Sequence, residues 1–166
     1  GYDDFSTRPM ARVAELVEVI PGMIATQHSG PGKANQYFLR GFNLDHGSDF
    51  STYFDGMPVN WRTHAHAQGY MDLNFIIPEL VERLDFQKGP YFADTGDFSL
   101  AGSNRMKTYD SLEEGFSELT LGSEKEIRFL TADSFEVGDG ILLYALEHQQ
   151  TNGFFDLDQD VRKYNG

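Results

Sequence analysis

The chain of 166 residues is long enough for one ordinary domain, and its 40% content of apolar residues can build a core. It contains no cysteine, which excludes disulfides, thiolate metal sites and cysteine nucleophiles. Its formal net charge of −13 repels phosphate backbones, so no nucleic acid is expected as a partner. No apolar run reaches the roughly 20 residues that a membrane-spanning helix needs.

The first half of the chain alternates short helical and strand patterns. Apolar residues follow helical spacing over residues 9–20, and Pro21-Gly22 ends that predicted helix. Two aromatic-rich strands are predicted at Gln36–Phe42 and Ser51–Phe54, separated by turn composition over residues 43–49. Beyond them the pattern predicts a short helix and two strands, at Pro78–Val81, Glu82–Gln87 and Asn104–Thr108.

From about Asp110 the pattern changes to longer stretches with strand-like alternation. Glu118 and Thr120, for example, alternate with Leu119 and Leu121, and stretches of turn composition separate one strand from the next. Such alternation is typical of a membrane β-barrel, with apolar residues towards lipid and polar residues towards the lumen. A soluble antiparallel meander produces the same alternation, so periodicity alone leaves both alternatives open.

A series of dispersed motifs resembles the plug domain of TonB-dependent outer-membrane receptors. In chain order they are Pro21-Gly22-Met23, Tyr37–Phe42, Tyr53–Val59, Pro78–Phe86 and Lys88-Gly89-Pro90. The resemblance implies an α+β plug domain, with a small mixed β-sheet and short helices, over residues 1–109. It also implies that residues 110–166 form the first two or three antiparallel strands of the transmembrane β-barrel. Because so few strands cannot close a barrel, the chain is interpreted as a fragment.

The same resemblance implies a function. Receptors of this family bind a scarce nutrient between plug and barrel loops, and TonB, driven by the proton-motive force, then opens a path to the periplasm. The chain is therefore expected to belong to an importer and not to an enzyme, in the outer membrane of a Gram-negative bacterium with the plug inside the barrel lumen. The expected partners are TonB, an iron-siderophore or other metal chelate, and outer-membrane lipid, and no cofactor is expected. The TonB-binding segment itself has no convincing match in this sequence.

The candidate cargo contacts follow from strand geometry. Connections between successive antiparallel strands alternate between the two ends of a sheet. The loops 28–35 and 57–69 are therefore expected at one end, which the family places outward, and the turn 43–49 with His46 is expected at the periplasmic end. The polar and aromatic residues of the outward end are the candidate contacts: His28, Asn60, Trp61, Arg62, His64, His66, Gln68 and Tyr70.

His64 and His66 are the most suggestive pair among these candidates. Two imidazoles two residues apart lie on one side of an extended segment, a spacing that can bind Zn²⁺, Cu²⁺ or Ni²⁺. His28 could supply a third ligand. The alternatives are histidines that only form hydrogen bonds in a polar loop, and histidines that contact an organic chelate or a sugar. Trp61 could stack on a sugar or an aryl chelate, or pack against the barrel wall.

Two other classes of protein also remain open on the sequence alone. A soluble β-rich module could bind carbohydrate through Trp61 and Tyr70. A metal-dependent hydrolase could use His64, His66 and nearby acidic residues, although no motif places a nucleophile beside them.

Overall fold

The computed structural model describes residues 8, 10 and 12–166 of the chain. It separates into two compact units, of which the first ends at Thr108 and the second begins at Tyr109. The short stretch 30–32 is grouped with the second unit. Among the described residues, no helix is long and apolar enough to cross a membrane.

The described helices of the first unit are short and of the 3₁₀ type. They span Val13–Val19, Pro78–Leu80 and Ala93–Thr95. The first begins after Arg12, whose backbone N–H and guanidinium both donate to the Glu15 carboxylate. The sequence predicts this helix over residues 9–20, and positions 9 and 11 lie outside the described residues. Its β-branched valines favour α-helix only weakly, which fits the short, tighter form observed.

Two sheets complete the first unit. The strands β1 (Met23–Thr26), β2 (Gln36–Leu39) and β3 (Phe42–Asn43) form an antiparallel sheet in that order. The second sheet has the order β5-β4-β7-β6, from β4 (Phe50–Phe54), β5 (Met57–Pro58), β6 (Val81–Lys88) and β7 (Gly102–Thr108). Strands β4 and β7 are parallel and the other neighbours antiparallel, so this sheet is mixed, as the sequence predicts.

One hydrophobic core joins the first helix to both sheets. The helix contributes Leu16 and Val17, the first sheet Tyr37, and the second sheet Phe50 and Met106. All five side chains are almost completely buried. Their packing fixes both sheets in place, and with them the loops that leave the sheet ends.

A two-residue turn at Arg40-Gly41 divides the segment that the sequence predicts as one strand. Both residues have positive φ angles, 52° and 81°, as a type I′ hairpin turn requires. The chain therefore reverses after Leu39 and runs back beside β2. The backbone N–H of Tyr37 donates to the carbonyl of Asp45 at 2.9 Å, which continues the pairing beyond β3.

This turn contradicts the predicted position of His46. The sequence predicts that residues 43–49 lie at the opposite end from the loop 28–35, so that His46 faces the periplasmic end. Because the chain has already reversed at Arg40-Gly41, His46 instead returns to the end where residues 28–35 lie. The sequence does not predict this turn, because the aromatic residues on both sides have the composition of one continuous strand. Arginine also rarely adopts the left-handed conformation that Arg40 has here.

The second unit is an antiparallel sheet in the order β11-β10-β9-β8. Its strands are β8 (Phe116–Leu121), β9 (Ile127–Val137), β10 (Gly140–Thr151) and β11 (Val161–Asn165). The sequence predicts two or three strands here, and the structure describes four. The last of them, β11, is only five residues long and pairs with the end of β10.

The two faces of this sheet differ in polarity. Cross-strand pairs such as Leu119–Phe129 place large apolar side chains on one face, where they are exposed. The opposite face carries Glu147, which is 4% exposed and lies 2.6 Å from Arg128 and 2.9 Å from Lys163. The alternation predicted from the sequence is therefore confirmed as a sheet with two different faces. One carries large exposed apolar side chains, and the other combines Glu147 with the buried side chains of Leu130 and Ala132.

Candidate metal and cargo site

Three histidines from separate segments meet at one end of the first unit. His28 follows β1, His46 follows β3, and His66 belongs to the loop between Trp61 and Tyr70. The Nε2 atoms of His28 and His46 are 3.3 Å apart. The ring centroids of His46 and His66 are 4.5 Å apart, in an edge-to-face arrangement. Residues that are far apart in the sequence thus become neighbours.

His46 lies at the centre of this group and is 1% exposed. Its Nδ1 atom is 2.9 Å from the carbonyl oxygen of Ala34 and 3.0 Å from that of Asn35. Carbonyl oxygens only accept hydrogen bonds, so Nδ1 carries the proton and the neutral ring presents an unprotonated Nε2 atom. Burial lowers the pKa of His46, although the Asn35 carbonyl and the Asp45 carboxylate oppose this shift. The neutral form is therefore favoured.

The Nε2 atom of His46 faces the other polar groups of the site. Besides His28, it has the Asp45 carboxylate 3.6 Å away. The potential ligand atoms of Asp45, His46 and His66 all lie within 4.8 Å of one another. We call these three residues together with His28 the histidine cluster. Imidazole nitrogens and a carboxylate oxygen are the donors that Zn²⁺, Cu²⁺ and Ni²⁺ prefer in a site without thiolates.

The loop that carries His66 is closed at its base. The Trp61 N–H donates to the Tyr70 carbonyl at 2.9 Å, and the Gly69 N–H donates to the Trp61 carbonyl at 2.7 Å. The Tyr70 hydroxyl accepts a hydrogen bond of 2.7 Å from the Ala34 N–H. This bond ties the loop to the segment whose carbonyls orient His46, so the two parts of the site share one support.

His64 has a different environment from His66. Its ring stacks on Tyr70, with centroids 4.0 Å apart and an interplanar angle of 12°. Its Nδ1 atom accepts a hydrogen bond from the backbone N–H of His66. The sequence predicts that His64 and His66 act as a metal-binding pair, whereas the structure brings His66 to His46. Sequence reasoning missed His46 because it placed that residue at the wrong end of the sheet.

Asn60 has a structural environment and does not line the site. Its side-chain amide is buried and donates to the carbonyls of Gly47, Phe50 and Gly69 at 3.0–3.1 Å. Its oxygen accepts a hydrogen bond of 2.7 Å from the Thr52 N–H. These bonds commit the amide to the backbone, which leaves Asn60 no free polar group for a cargo.

Tyr70, which the sequence also predicts as a cargo contact, is buried, with 7% of its surface exposed. The other three candidates are exposed on the loop that carries His66. Trp61 is 61% exposed and meets the ring of His64 edge-on, with centroids 6.2 Å apart. The Arg62 guanidinium lies 3.3 Å from the Asp97 carboxylate in an exposed ion pair. The side chain of Gln68 is also exposed. These positions provide an aromatic surface, a cation and an amide on the loop that carries His66.

A family model described as the TonB-dependent Receptor Plug Domain matches residues 2–103, and the chain belongs to this family. The vitamin B12 transporter BtuB of Vibrio vulnificus (strain CMCP6) is 30% identical over 144 residues, which are 84% of this chain and 22% of that protein. The copper transporter OprC has a similar structure, with a TM-score of 0.64 and 20% identity over 87% of this chain and 22% of its own. The ferric enterobactin receptor PfeA of Pseudomonas aeruginosa has a TM-score of 0.63 and is 19% identical, and the match covers 90% of this chain and 24% of PfeA.

These comparisons confirm the predicted family and fold. The chain is a plug domain with a small mixed sheet and short helices, followed by the first antiparallel strands of the receptor barrel. The family consists of transporters and receptors of the Gram-negative outer membrane and is not a family of enzymes. The match therefore assigns the chain to a class other than the soluble carbohydrate-binding modules. The chain spans about a fifth of the length of these relatives.

Proposed function

We propose that the protein containing this chain imports a metal, as an iron-siderophore or another metal complex, across the outer membrane of a Gram-negative bacterium. Residues up to Thr108 act as the plug inside the barrel lumen, and β8–β11 are the first strands of the surrounding wall. TonB, energised by the proton-motive force, acts on the plug to open the path. The plug-family match supports TonB-dependent import, and the histidine cluster is the observation that favours a metal as the cargo.

The cluster supports a metal-containing cargo because its donors are already oriented. Two backbone carbonyls hold the His46 ring so that its lone pair points towards His28 and Asp45. A neutral organic cargo would not need such a convergence of imidazoles and a carboxylate. We place this end of the plug on the extracellular side, where cargo arrives.

The exposed residues around the cluster suit the organic part of a chelate. Trp61 offers a ring face on which an aryl group or a sugar can stack. Arg62 offers a guanidinium that can bind anionic oxygen atoms, after exchange with its exposed partner Asp97. Gln68 adds a hydrogen-bonding group on the same loop. These three residues are the cargo contacts that we retain besides the cluster itself.

The proposed position of the second unit in a membrane rests on its exposed apolar face. The side chains of Leu119, Leu121, Phe129 and Leu146 are between 44% and 69% exposed and lie on the same face of the sheet. Covering this face with outer-membrane lipid removes these side chains from water. The opposite face, which carries Glu147, would then be turned towards the lumen.

Uptake by cells tests this proposal. A strain that lacks the gene would be compared with a strain that expresses the whole protein, using radioactive Fe³⁺-siderophore, Cu²⁺ and Zn²⁺ at nanomolar concentration. We expect gene-dependent uptake of at least one metal, abolished by deletion of TonB or by a protonophore. Radioactive cobalamin would be included because the relative from Vibrio vulnificus is a vitamin B12 transporter. Gene-dependent uptake of an oligosaccharide, with no uptake of iron, copper, zinc or the cobalt complex cobalamin, would contradict the proposed cargo.

A further inference from the structure

We propose that His28, His46 and His66, together with Asp45, coordinate a divalent transition-metal cation directly. This inference rests on the proposed function and makes it more specific. The cargo would be a labile metal ion such as Cu²⁺, Zn²⁺ or Ni²⁺, with free coordination positions for protein ligands. A siderophore that already fills the coordination sphere of Fe³⁺ would have no position left for these imidazoles.

The separation of His28 and His46 fits two ligands of one ion. Two nitrogens bound tetrahedrally to zinc at about 2.05 Å lie about 3.3 Å apart. The observed Nε2–Nε2 distance is 3.3 Å. In the metal-free protein the His28 ring N–H can donate a hydrogen bond to the unprotonated Nε2 atom of His46 across this distance. The two rings are thus spaced as they would be around a shared cation.

The hydrogen bonds that hold the His46 ring are of the kind found at metal-binding histidines. Histidines that bind metals usually donate their other ring N–H to a carboxylate or a backbone carbonyl, which fixes the tautomer and the ring orientation. In His46 the carbonyls of Ala34 and Asn35 have this role, and Nε2 is left as the ligand atom. The ring is also buried, so its position is fixed before a metal arrives.

The four ligands can surround one ion only after exposed side chains move. The ligand atoms of Asp45, His46 and His66 lie within 4.8 Å of one another, and His28, which is exposed, lies outside that group although its Nε2 atom is near His46. The Asp45 oxygen is 3.6 Å from Nε2 of His46, a few tenths of an ångström more than a tetrahedral edge. Three neutral imidazoles and one carboxylate would leave a bound divalent ion with one net positive charge, which suits the acidic chain.

The origin of the ligands also suggests how the ion is released. The four residues come from three segments: the end of β1, the return after β3, and the loop closed by Trp61 and Tyr70. A movement of the plug that separates any of these segments would remove ligands and weaken binding. The site is therefore suited to cargo that must bind and later leave, and less suited to a permanent structural ion.

Calorimetric titration of the whole protein in detergent tests the site. The protein would be purified without a polyhistidine tag, stripped with a chelator, and titrated with Cu²⁺, Zn²⁺ and Ni²⁺. We expect micromolar or tighter binding of at least one ion, weakened about 100-fold or more by His66→Gln and by His28→Gln. His64→Gln is the matched control, since it changes a histidine of the same loop outside the cluster, and should alter the affinity less than threefold.

Each outcome of this titration has a distinct meaning. His46→Gln should also abolish binding, but it alters a buried residue, so the exposed positions His28 and His66 decide the result. Absence of metal-dependent heat, or equal affinity in His66→Gln, His28→Gln and the parent protein, would overturn the inference. TonB-dependent siderophore uptake without this metal binding would refute the site and preserve the proposed function. Metal binding without TonB-dependent uptake would support the site and refute the proposed function.

Discussion

The Nε2 atoms of His28 and His46 lie 3.3 Å apart, although 18 positions separate the two residues in the chain. The hairpin turn at Arg40-Gly41 creates this contact, because it returns the chain along β2 and brings His46 back towards the end of β1. The candidate metal site therefore depends on local backbone geometry as well as on its ligands. This relationship can be tested first through the stability of the turn.

We predict that Gly41→Ala destabilises the β2–β3 hairpin by about 1 kcal/mol. Gly41 has a φ of +81°, and a Cβ atom there would have open space around it, so the cost arises from the backbone alone. Hydrogen exchange of the peptides covering residues 36–46 would measure this destabilisation as faster local opening of the hairpin. Gly32→Ala is the control, since Gly32 has an equally open environment without a positive φ. Equal protection in the two variants would contradict the prediction.

A second prediction concerns the amide of Asn60. Asn60→Ala removes the partners of three buried carbonyls and of the Thr52 N–H, and should destabilise the first unit by about 2–3 kcal/mol. Hydrogen exchange in β4 should rise accordingly. Gln68→Ala, an exposed amide nearby, should change stability by less than about 0.5 kcal/mol. If the two variants behaved alike, the amide network would not have the stabilising role assigned here.

A third prediction concerns the buried hydroxyl of Tyr37. The side chain is 0% exposed, and its oxygen has no hydrogen-bond partner within the part of the chain that the structure describes. Burial is also the main cause of the strongly raised pKa of Tyr37, with further contributions from Asp72 and Tyr70. Tyr37→Phe removes an unsatisfied polar group and should stabilise the core by about 1 kcal/mol.

The same hydrogen-exchange measurement, made on β1 and β2, would check the Tyr37 prediction. Tyr91→Phe serves as the control because the Tyr91 ring is 79% exposed and its hydroxyl can contact water. Slower exchange in Tyr37→Phe alone is the expected result. A clear loss of protection would mean that the Tyr37 hydroxyl has a stabilising partner after all.

The stability of the metal-free protein should also depend on pH through His46. Burial lowers the pKa of His46 in the folded state below its ordinary value of 6.5. Between these two pKa values the unfolded chain binds the proton more readily, so the free energy of unfolding falls as the pH drops from about 6.5 towards the folded pKa. The titratable groups that face His46 are His28, His66, Asp45 and Tyr70.

Hydrogen exchange at pH 7.5 and at pH 5.5, with a chelator present and corrected for the intrinsic rate, would measure this dependence. The parent protein should lose protection around residues 34–46 at the lower pH, and His46→Asn should lose less. His64→Asn should behave like the parent protein, because His64 lies outside the cluster. An identical pH dependence in the parent and in His46→Asn would refute the assignment to His46.

Much of the fold can be predicted from the sequence. Turn residues bound the patterns of β4 and β6 on both sides, and the structure places these strands within one residue of their predicted limits. The order of the plug motifs identifies the family, which the match over residues 2–103 confirms. Motifs spread over a long stretch in one order are specific even when each is short.

The position of His46 and the burial of Asn60 could not be predicted in the same way. The hairpin turn begins at Arg40, a residue type that seldom adopts a positive φ, so the segment has the composition of a continuous strand. Asn60 lies in a polar stretch, and only the tertiary structure shows that backbone carbonyls surround its amide. The sequence predicts two or three strands after residue 110 where the structure describes four, because a strand as short as β11 shows no clear alternation.

The nitrogen ligands of a bound Cu²⁺ ion test the central claim most directly. Pulsed electron paramagnetic resonance of the Cu²⁺-loaded whole protein detects each coordinated imidazole through its remote nitrogen. We predict three imidazoles in the parent protein and in His64→Gln, and two in His28→Gln and in His66→Gln. A spectrum with oxygen ligands alone, or a count of imidazoles that stays the same in all four proteins, would contradict the proposed metal site.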